Sequence, residues 1–365
     1  MKHNELPSER YFGDLEQVFT FYGAMPTGVT ISENGRIFVN FPKWGDDVKF
    51  TVGEIVKNKL VPYPDLNTNK VDYNNLDKCF ISVQSVVADG SGTLWVLDTA
   101  SPNFSEPIKD GAKLVSVDLA TNKIKRSYVF SEDVVLPTTY LNDVRIDYRV
   151  GDAGYAYITD SSDKGPGAII VLDLSTGKAF RRLNGDESTS SDPNFLPKVE
   201  GKILLNRNKD GSTSRITTAS DGIAISPDGE VLYFCPMASR NLYFIQTKLL
   251  RDRNITEAEL SAKVKYLGEK GASDGMITDA KGVVYAGDYE NNSIRTIMPD
   301  GTMKTLVHDP RILWPDTLTI GRDKYLYFTA NQLHRQARYN YGKDQRQKPY
   351  VLFRIKISEL PAPTK

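Results

Sequence analysis

Apolar and polar side chains alternate with period two along most of this chain, in short runs separated by turns rich in Gly, Asp and Asn. Such alternation marks strands with one face buried, and two runs joined by a tight Gly-containing turn mark a β-hairpin. The stretch "ASDGMITDAKGVVYAGDYENN" from Ala272 repeats the plan of "ASDGIAISPDGEVLYFCPMAS" from Ala219. The same plan opens near Met25, Ser82, Tyr140 and Leu313, which makes six copies. A third run usually follows, as in "GAKLVSVDLATN" and "PYVLFRIKI", and often a fourth, as in "KIKRSYVF" and "TMKTLV". Four antiparallel strands repeated six times predict an all-β chain folded as a six-bladed β-propeller.

Two irregularities refine that expectation. The sixth copy ends at "YVLFRIKI" without a fourth strand, whereas the segment 10–24, with "LEQVFTFYG", precedes the first copy and has no blade of its own. This segment is expected to join the last blade, closing the ring and removing an exposed edge. The segment 184–214 is too long for a turn between blades and reads as an insertion over one face. No blade folds apart from its neighbours, so residues 1–365 are expected to form a single domain.

In a propeller the first strand of every blade lines the central channel, and its first residues converge at one mouth. Aligning the six copies puts Thr27, Gln84, Asn142, Asp221, Asp274 and Asp316 in one column. Three carboxylates with an Asn and a Gln suit a hard cation such as Ca²⁺, with Asn142, Asp221, Asp274 and Asp316 as ligands. They suit an ammonium group equally well. Each Asp can also serve the backbone, by accepting N–H bonds and fixing a turn. The second strand of each copy returns to the same mouth, and its end brings Trp44, Asp98, Asp160, Met237, Asp288, Tyr289, Asn331 and His334 there. Aromatic walls with few polar groups make a small-molecule pocket. Within it Asp221, Asp274 and His334 are candidate acid–base groups, although His334 in "HRQARYNYGK" also reads as an ordinary loop residue. Thr27, Trp44, Gln84, Asn142, Asp316, Met237, Tyr289 and Asn331 are candidate ligand contacts.

Composition narrows the partners. Lys and Arg number 46 against 46 Asp and Glu, which argues against nucleic acid or an anionic membrane as partner. No apolar run approaches the roughly 18 residues of a membrane helix. The opening "MKHNELPSER" has no apolar core of a secretion signal. As written the chain reads as cytoplasmic, and as secreted or periplasmic if a signal has been removed. The two cysteines, Cys79 and Cys235, lack metal-ligand spacing and read as small buried hydrophobes. No GxSxG, HExxH or P-loop motif is present. The expected partner is one small molecule, and the expected state a monomer.

At these residues the chain resembles the Yellow and major royal jelly proteins. The resemblance rests on "TLWVLDTA", "LNDVRID", "YITDSS" followed by "AIIVLDLSTGKAFR", "DGIAISPDGEVLYFCPMASRNLYFIQTKLLRD", "LGEKGASDGMITDAKGVVYAGDYENNSI" and "LWPDTLTIGRDKYLYFTANQLH", and covers roughly residues 15–358. It looks closer to a bacterial member than to an insect one. It implies a six-bladed propeller and a range of roles: dopachrome conversion, binding of biogenic amines, or nutrition. The family is usually secreted and disulfide-bonded, and this chain departs from both patterns. A more distant resemblance, to gluconolactonase and paraoxonase-like propellers, implies a metal held by a Glu of the first inner strand with Asn and Asp from later blades. Asn142 and Asp221 fall at comparable positions, and Thr27 stands where the Glu would be. Three readings follow: a lactonase-like hydrolase or tautomerase, a binder of small amines or aromatics, and a protein-interaction scaffold.

Overall fold

Each of the six alternating repeats folds into one four-stranded antiparallel sheet, and the six sheets form a ring. The computed structural model describes residues 11–365. Blade 1 opens with Val29–Ile31, blade 2 with Val83–Ala88 and blade 3 with Leu141–Asp147. Blades 4, 5 and 6 open with Ser220–Ile225, Met276–Thr278 and Pro315–Ile320. These inner strands touch one another around the channel. Their Val, Ile and Leu side chains pack between blades, so Val86, Val144, Ile223 and Leu318 are all buried.

The fourth strand of blade 6 is N-terminal. Leu15–Phe21 pairs antiparallel with Tyr350–Lys356, which in turn pairs with Tyr325–Ala330. The ring is therefore closed by strand addition, and Phe21 enters the same core as Leu352 and Tyr350. The residues 184–214 carry two very short hairpins, Lys198–Val199 with Lys202–Ile203 and Asn206–Arg207 with Thr213–Ser214. Phe195, Val199 and Leu204 of this segment are buried against Leu333 and Tyr339 of blade 6. Among the described residues no helix is long and apolar enough to cross a membrane.

The strand pairing breaks where the inner strands begin. Register shifts fall between Val83 and Ser85, Leu141 and Val144, Ser220 and Ile223, and Pro315 and Leu318. A bulge bends its strand and re-aims the side chain within it. Gln84, Asn142, Asp221 and Asp316 all sit in these breaks, at the end where the channel opens.

The glycine that follows the Asp in the repeated Ser-Asp-Gly has a separate cause. A Cβ at Gly222 would stand 2.4 Å from the Asp274 carbonyl oxygen, and one at Gly275 would stand 2.5 Å from that of Asp316. Neighbouring inner strands approach too closely there for any side chain.

Candidate functional site

At this mouth lies a cavity of about 670 Å³. Its floor is formed by the column residues Gln84, Asn142, Asp221, Asp274 and Asp316. Its walls include Trp44, Phe104, Tyr140, Met237, Leu333 and Tyr339. Its volume lies within the range common for ligand pockets.

The polar side chains of blades 1 to 3 form one chain of hydrogen bonds. Trp44 Nε1 donates to Tyr140 Oη at 2.7 Å, and Tyr140 Oη donates to Gln84 Oε1 at 3.0 Å. Gln84 Nε2 then donates to Asn142 Oδ1 at 2.9 Å. Trp44 stacks on Phe104 with centroids 4.9 Å apart, and Phe104 lies 5.2 Å from Tyr140. Three aromatic rings are thus fixed together on one wall. Burial holds the Tyr140 hydroxyl well above its ordinary pKa, so it stays a neutral donor.

The opposite side of the floor is acidic. Burial, then the charge and hydrogen bonding of Asp274, push the Asp221 carboxyl well above its usual range. Asp274 is raised by burial too, while Trp314 Nε1, donating at 2.7 Å, works in the other direction. Asp316 is raised by burial and then by Asp274, while Asn331 Nδ2, donating at 2.6 Å, favours its ionised form. Among the described residues no Lys, Arg or His forms an ion pair with these three carboxyls. Burial and the nearness of Asp274 disfavour ionising Asp221 and Asp274 together.

Four expected site residues stand behind the wall. Thr27 is fully buried, accepting from Asn40 Nδ2 at 2.9 Å and donating to the Gln84 carbonyl. Tyr289 stacks under Trp314 with centroids 3.9 Å apart and donates to the Met237 carbonyl, so it supports the Asp274 partner from below. Asn331 also donates to the Pro26 carbonyl and thereby anchors Asp316 between blades 6 and 1. His334 faces the insertion: its Nε2 lies 2.7 Å from Glu200 Oε2, and its ring stacks on Trp314. The left-handed backbone of Gln332 turns the chain after blade 6's second strand, which carries His334 away from the cavity.

The carboxylates at the other second-strand ends are structural. Asp98 accepts from the backbone N–H of Ile81, Ser82 and Ala100 and from Lys113 Nζ at 2.8 Å. Asp160 accepts from Thr139, from the Tyr140 N–H and from Arg181. Asp288 accepts from Asn291 and faces Arg295 at 3.5 Å. Asp98 and Asp160 thus tie the entry of an inner strand to the end of its second strand, whereas Asp288 holds the turn after its strand.

The donor set does not make a calcium cage. Among the described residues no three His, Cys, Asp or Glu groups converge as a metal site requires. The first-blade residue is Thr27, turned into the core, and one oxygen each of Asp274 and Asp316 accepts from Trp314 and Asn331. These residues do not fit the ion that the distant resemblance implies.

The profile of the major royal jelly protein family matches residues 81–361. The chain belongs to the major royal jelly protein family. Within that family it is similar to Protein yellow of Drosophila erecta, 28% identical over 258 residues, or 64% of this chain and 43% of that protein. Protein yellow of Drosophila melanogaster is 27% identical over the same share. The chain therefore spans less than half the length of these relatives. Solved structures agree on the fold. A luciferin-regenerating enzyme superimposes with a TM-score of 0.57 at 13% identity, covering 96% of this chain and 99% of that one. Regucalcin, a calcium-binding protein from Agrobacterium tumefaciens, gives 0.54 at 14%, again over 96% and 99%. A gluconolactonase from Xanthomonas campestris gives 0.54 at 10%, over 94% and 89%.

Several lining residues escaped the sequence reading. Tyr140 stands two positions before Asn142 and shares its strand entry, a signal that was available. Phe104, Asp163, Arg338 and Tyr339 come from loops whose paths no periodicity describes. Arg338 pairs with Asp163 at 2.8 Å and lies over Phe104 and Tyr339 at 5.4 and 5.1 Å. It holds the funnel's outer wall together.

Proposed function

We propose that the funnel binds a small aromatic amine, with its ammonium on the carboxyls and its ring against the Trp44–Phe104–Tyr140 wall. One observation carries this reading: three buried carboxyls, none in an ion pair, face an aromatic wall across a cavity of about 670 Å³. Buried like charges need a counter-charge, and a ligand cation supplies it at close range in a low-dielectric floor. The ring stack adds apolar burial and cation–π attraction. The amine binders among the proteins this chain resembles support the same choice.

Calorimetry with tyramine tests it. Saturable binding is expected, weakened at least about tenfold in Asp221→Asn or Asp274→Asn, which removes one charge-assisted contact. The neutral analogue 4-ethylphenol should bind at least about tenfold more weakly than tyramine. Equal binding of the two, or none, would sink the proposal.

The buried pair Asp221 and Asp274, each raised above the usual carboxyl range, favours a second reading, tautomerisation of a quinone-like substrate. One carboxyl would donate a proton while its neighbour accepts another. Dopachrome decolorised by the protein, but not by Asp274→Asn, would establish it. The lactonase reading loses support, because it relies on a metal that these residues do not fit.

A further inference from the structure

Trp314 is held in a backbone conformation that bulky residues avoid. Its φ is +62°, in the left-handed region, and it precedes Pro315, which narrows its choices further. Strain of this kind persists where the surroundings over-determine a conformation, and it gathers at functional sites. Two rings do the holding here. The fully buried indole lies 3.9 Å from the Tyr289 ring at an interplanar angle of 7°, and 5.9 Å from the His334 ring at 19°. From between them Nε1 donates to Asp274 Oδ2 at 2.7 Å, and Asp274 lines the funnel.

The outer ring of this stack is tied to the insertion. His334 Nε2 meets Glu200 Oε2 at 2.7 Å, and Arg335 Nε donates to the same oxygen at 2.8 Å. Glu200 reaches them from a left-handed turn of its own, at φ +48°. His334 Nδ1 is buried with no hydrogen-bond partner, so Glu200 is the one polar tie of the imidazole. A line of contacts thus runs from the insertion through His334 and Trp314 to a carboxyl of the floor.

Charge alone does not single out that carboxyl. Asp274 faces Asp143, Asp221 and Asp316 of other blades, and Lys270 just before its own strand. Burial keeps the nearby Cys235 thiol and the Tyr289 and Tyr339 hydroxyls neutral. Burial also raises the Asp274 carboxyl, and the Trp314 hydrogen bond is the strongest effect opposing it.

We infer that Trp314 is the positioning residue of the floor, aiming Asp274 into the funnel, and that the insertion holds it in place through Glu200 and His334. Docking of 184–214 and amine binding are then coupled. Undocking frees the His334 ring, loosens the indole and weakens Asp274 as a counter-charge, and an amine on Asp274 favours docking in return. The role rests on the amine reading for its ligand, whereas the state of the carboxyl is measurable without one.

Carbon-13 NMR of the Asp carboxyls tests it, on the ligand-free full chain with Asp274 assigned by Asp274→Asn. Trp314→Phe keeps a ring in the stack and removes the N–H. Losing a hydrogen bond to an ionised acceptor should move the Asp274 midpoint up by about one pH unit or more. Glu200→Gln, at the exposed end of the line, should move it the same way by less. The curve of tyramine affinity against pH should shift with the midpoint in both variants and rejoin the parent's at higher pH. Mere damage to the fold would lower affinity at every pH. An Asp274 midpoint unmoved in Trp314→Phe overturns the inference, and one unmoved in Glu200→Gln overturns the insertion's part in it. Should Trp314→Phe not fold, Glu200→Gln decides alone. Absence of tyramine binding to the parent counts against the amine reading, and the NMR midpoints still judge Trp314.

Discussion

At the residue scale, the three carboxyls of the floor and Glu200 titrate in opposite directions. Asp221 and Asp316 are raised by burial, so the folded state holds their protons more tightly than the unfolded chain does. Their contribution to stability is full below the unfolded carboxyl pKa, about 3.9, and is lost as pH rises through the folded values. Asp221→Asn should therefore raise the thermal midpoint of the ligand-free protein at pH 8, by about 2–4 °C, and give no gain at pH 4. A scan at the two pH values checks this, and a drop at pH 8 would contradict it. By the same linkage tyramine should bind more tightly as pH rises, with proton release that shows as a buffer-dependent heat. Glu200 has the reverse sign. His334 and then Arg335 hold its carboxyl below the usual range. Its contribution is present above the unfolded value, about 4.3, and is lost as pH falls toward the folded one. Glu200 is more than a third exposed, so solvent screening keeps the loss in Glu200→Gln to about 1 kcal/mol or less at pH 7. Its clearer readout is faster proteolytic nicking within 184–214, and unchanged nicking would deny the segment this anchor.

At the scale of the element, the blades were legible and their corners were not. Period-two alternation and recurring Gly-Asp turns identify strand pairs because each strand has one face per packed neighbour. The mouth column was legible for the same reason: a position that begins an inner strand in one repeat begins it in all. Asp98 and Asp160 look alike to that pattern, yet they end second strands and spend their oxygens on backbone N–H groups of the next strand entry. Nothing in alternation separates a carboxylate turned to a cavity from one turned to the chain. His334 was misplaced by a single left-handed residue, Gln332, and a backbone angle of that kind leaves no periodic trace. The corner carboxylates carry their own prediction. Lys113 and Asp98 are both fully buried, and Lys113→Met leaves one charge without its partner. Such a loss costs about 3–5 kcal/mol, visible as a lower urea midpoint. Tyramine affinity should stay unchanged in the folded variant, because Asp98 does not line the funnel. A loss of affinity without a loss of stability would return Asp98 to the site.

At the scale of the whole molecule, ring closure connects the chain's two ends to the site. Leu15–Phe21 covers the edge of Tyr350–Lys356, and that strand's neighbour, Tyr325–Ala330, ends one residue before Asn331, the side chain that holds Asp316. Removing residues 1–24 leaves the outward-facing backbone groups of Tyr350–Lys356 unpaired along a strand rich in Val, Leu, Phe and Ile. An open edge of that kind pairs with another chain or frays. The truncated protein should therefore elute as dimers or larger species and unfold over a broader, lower urea range. A synthetic peptide of residues 11–24 should restore the monomer, since it supplies the same strand in trans. Tyramine affinity should follow the same course, falling with truncation and returning with the peptide, because blade 6 positions Asp316 only while its outer strands are paired. A truncated chain that stays monomeric and keeps its affinity would mean that the remaining strands of blade 6 hold the ring on their own.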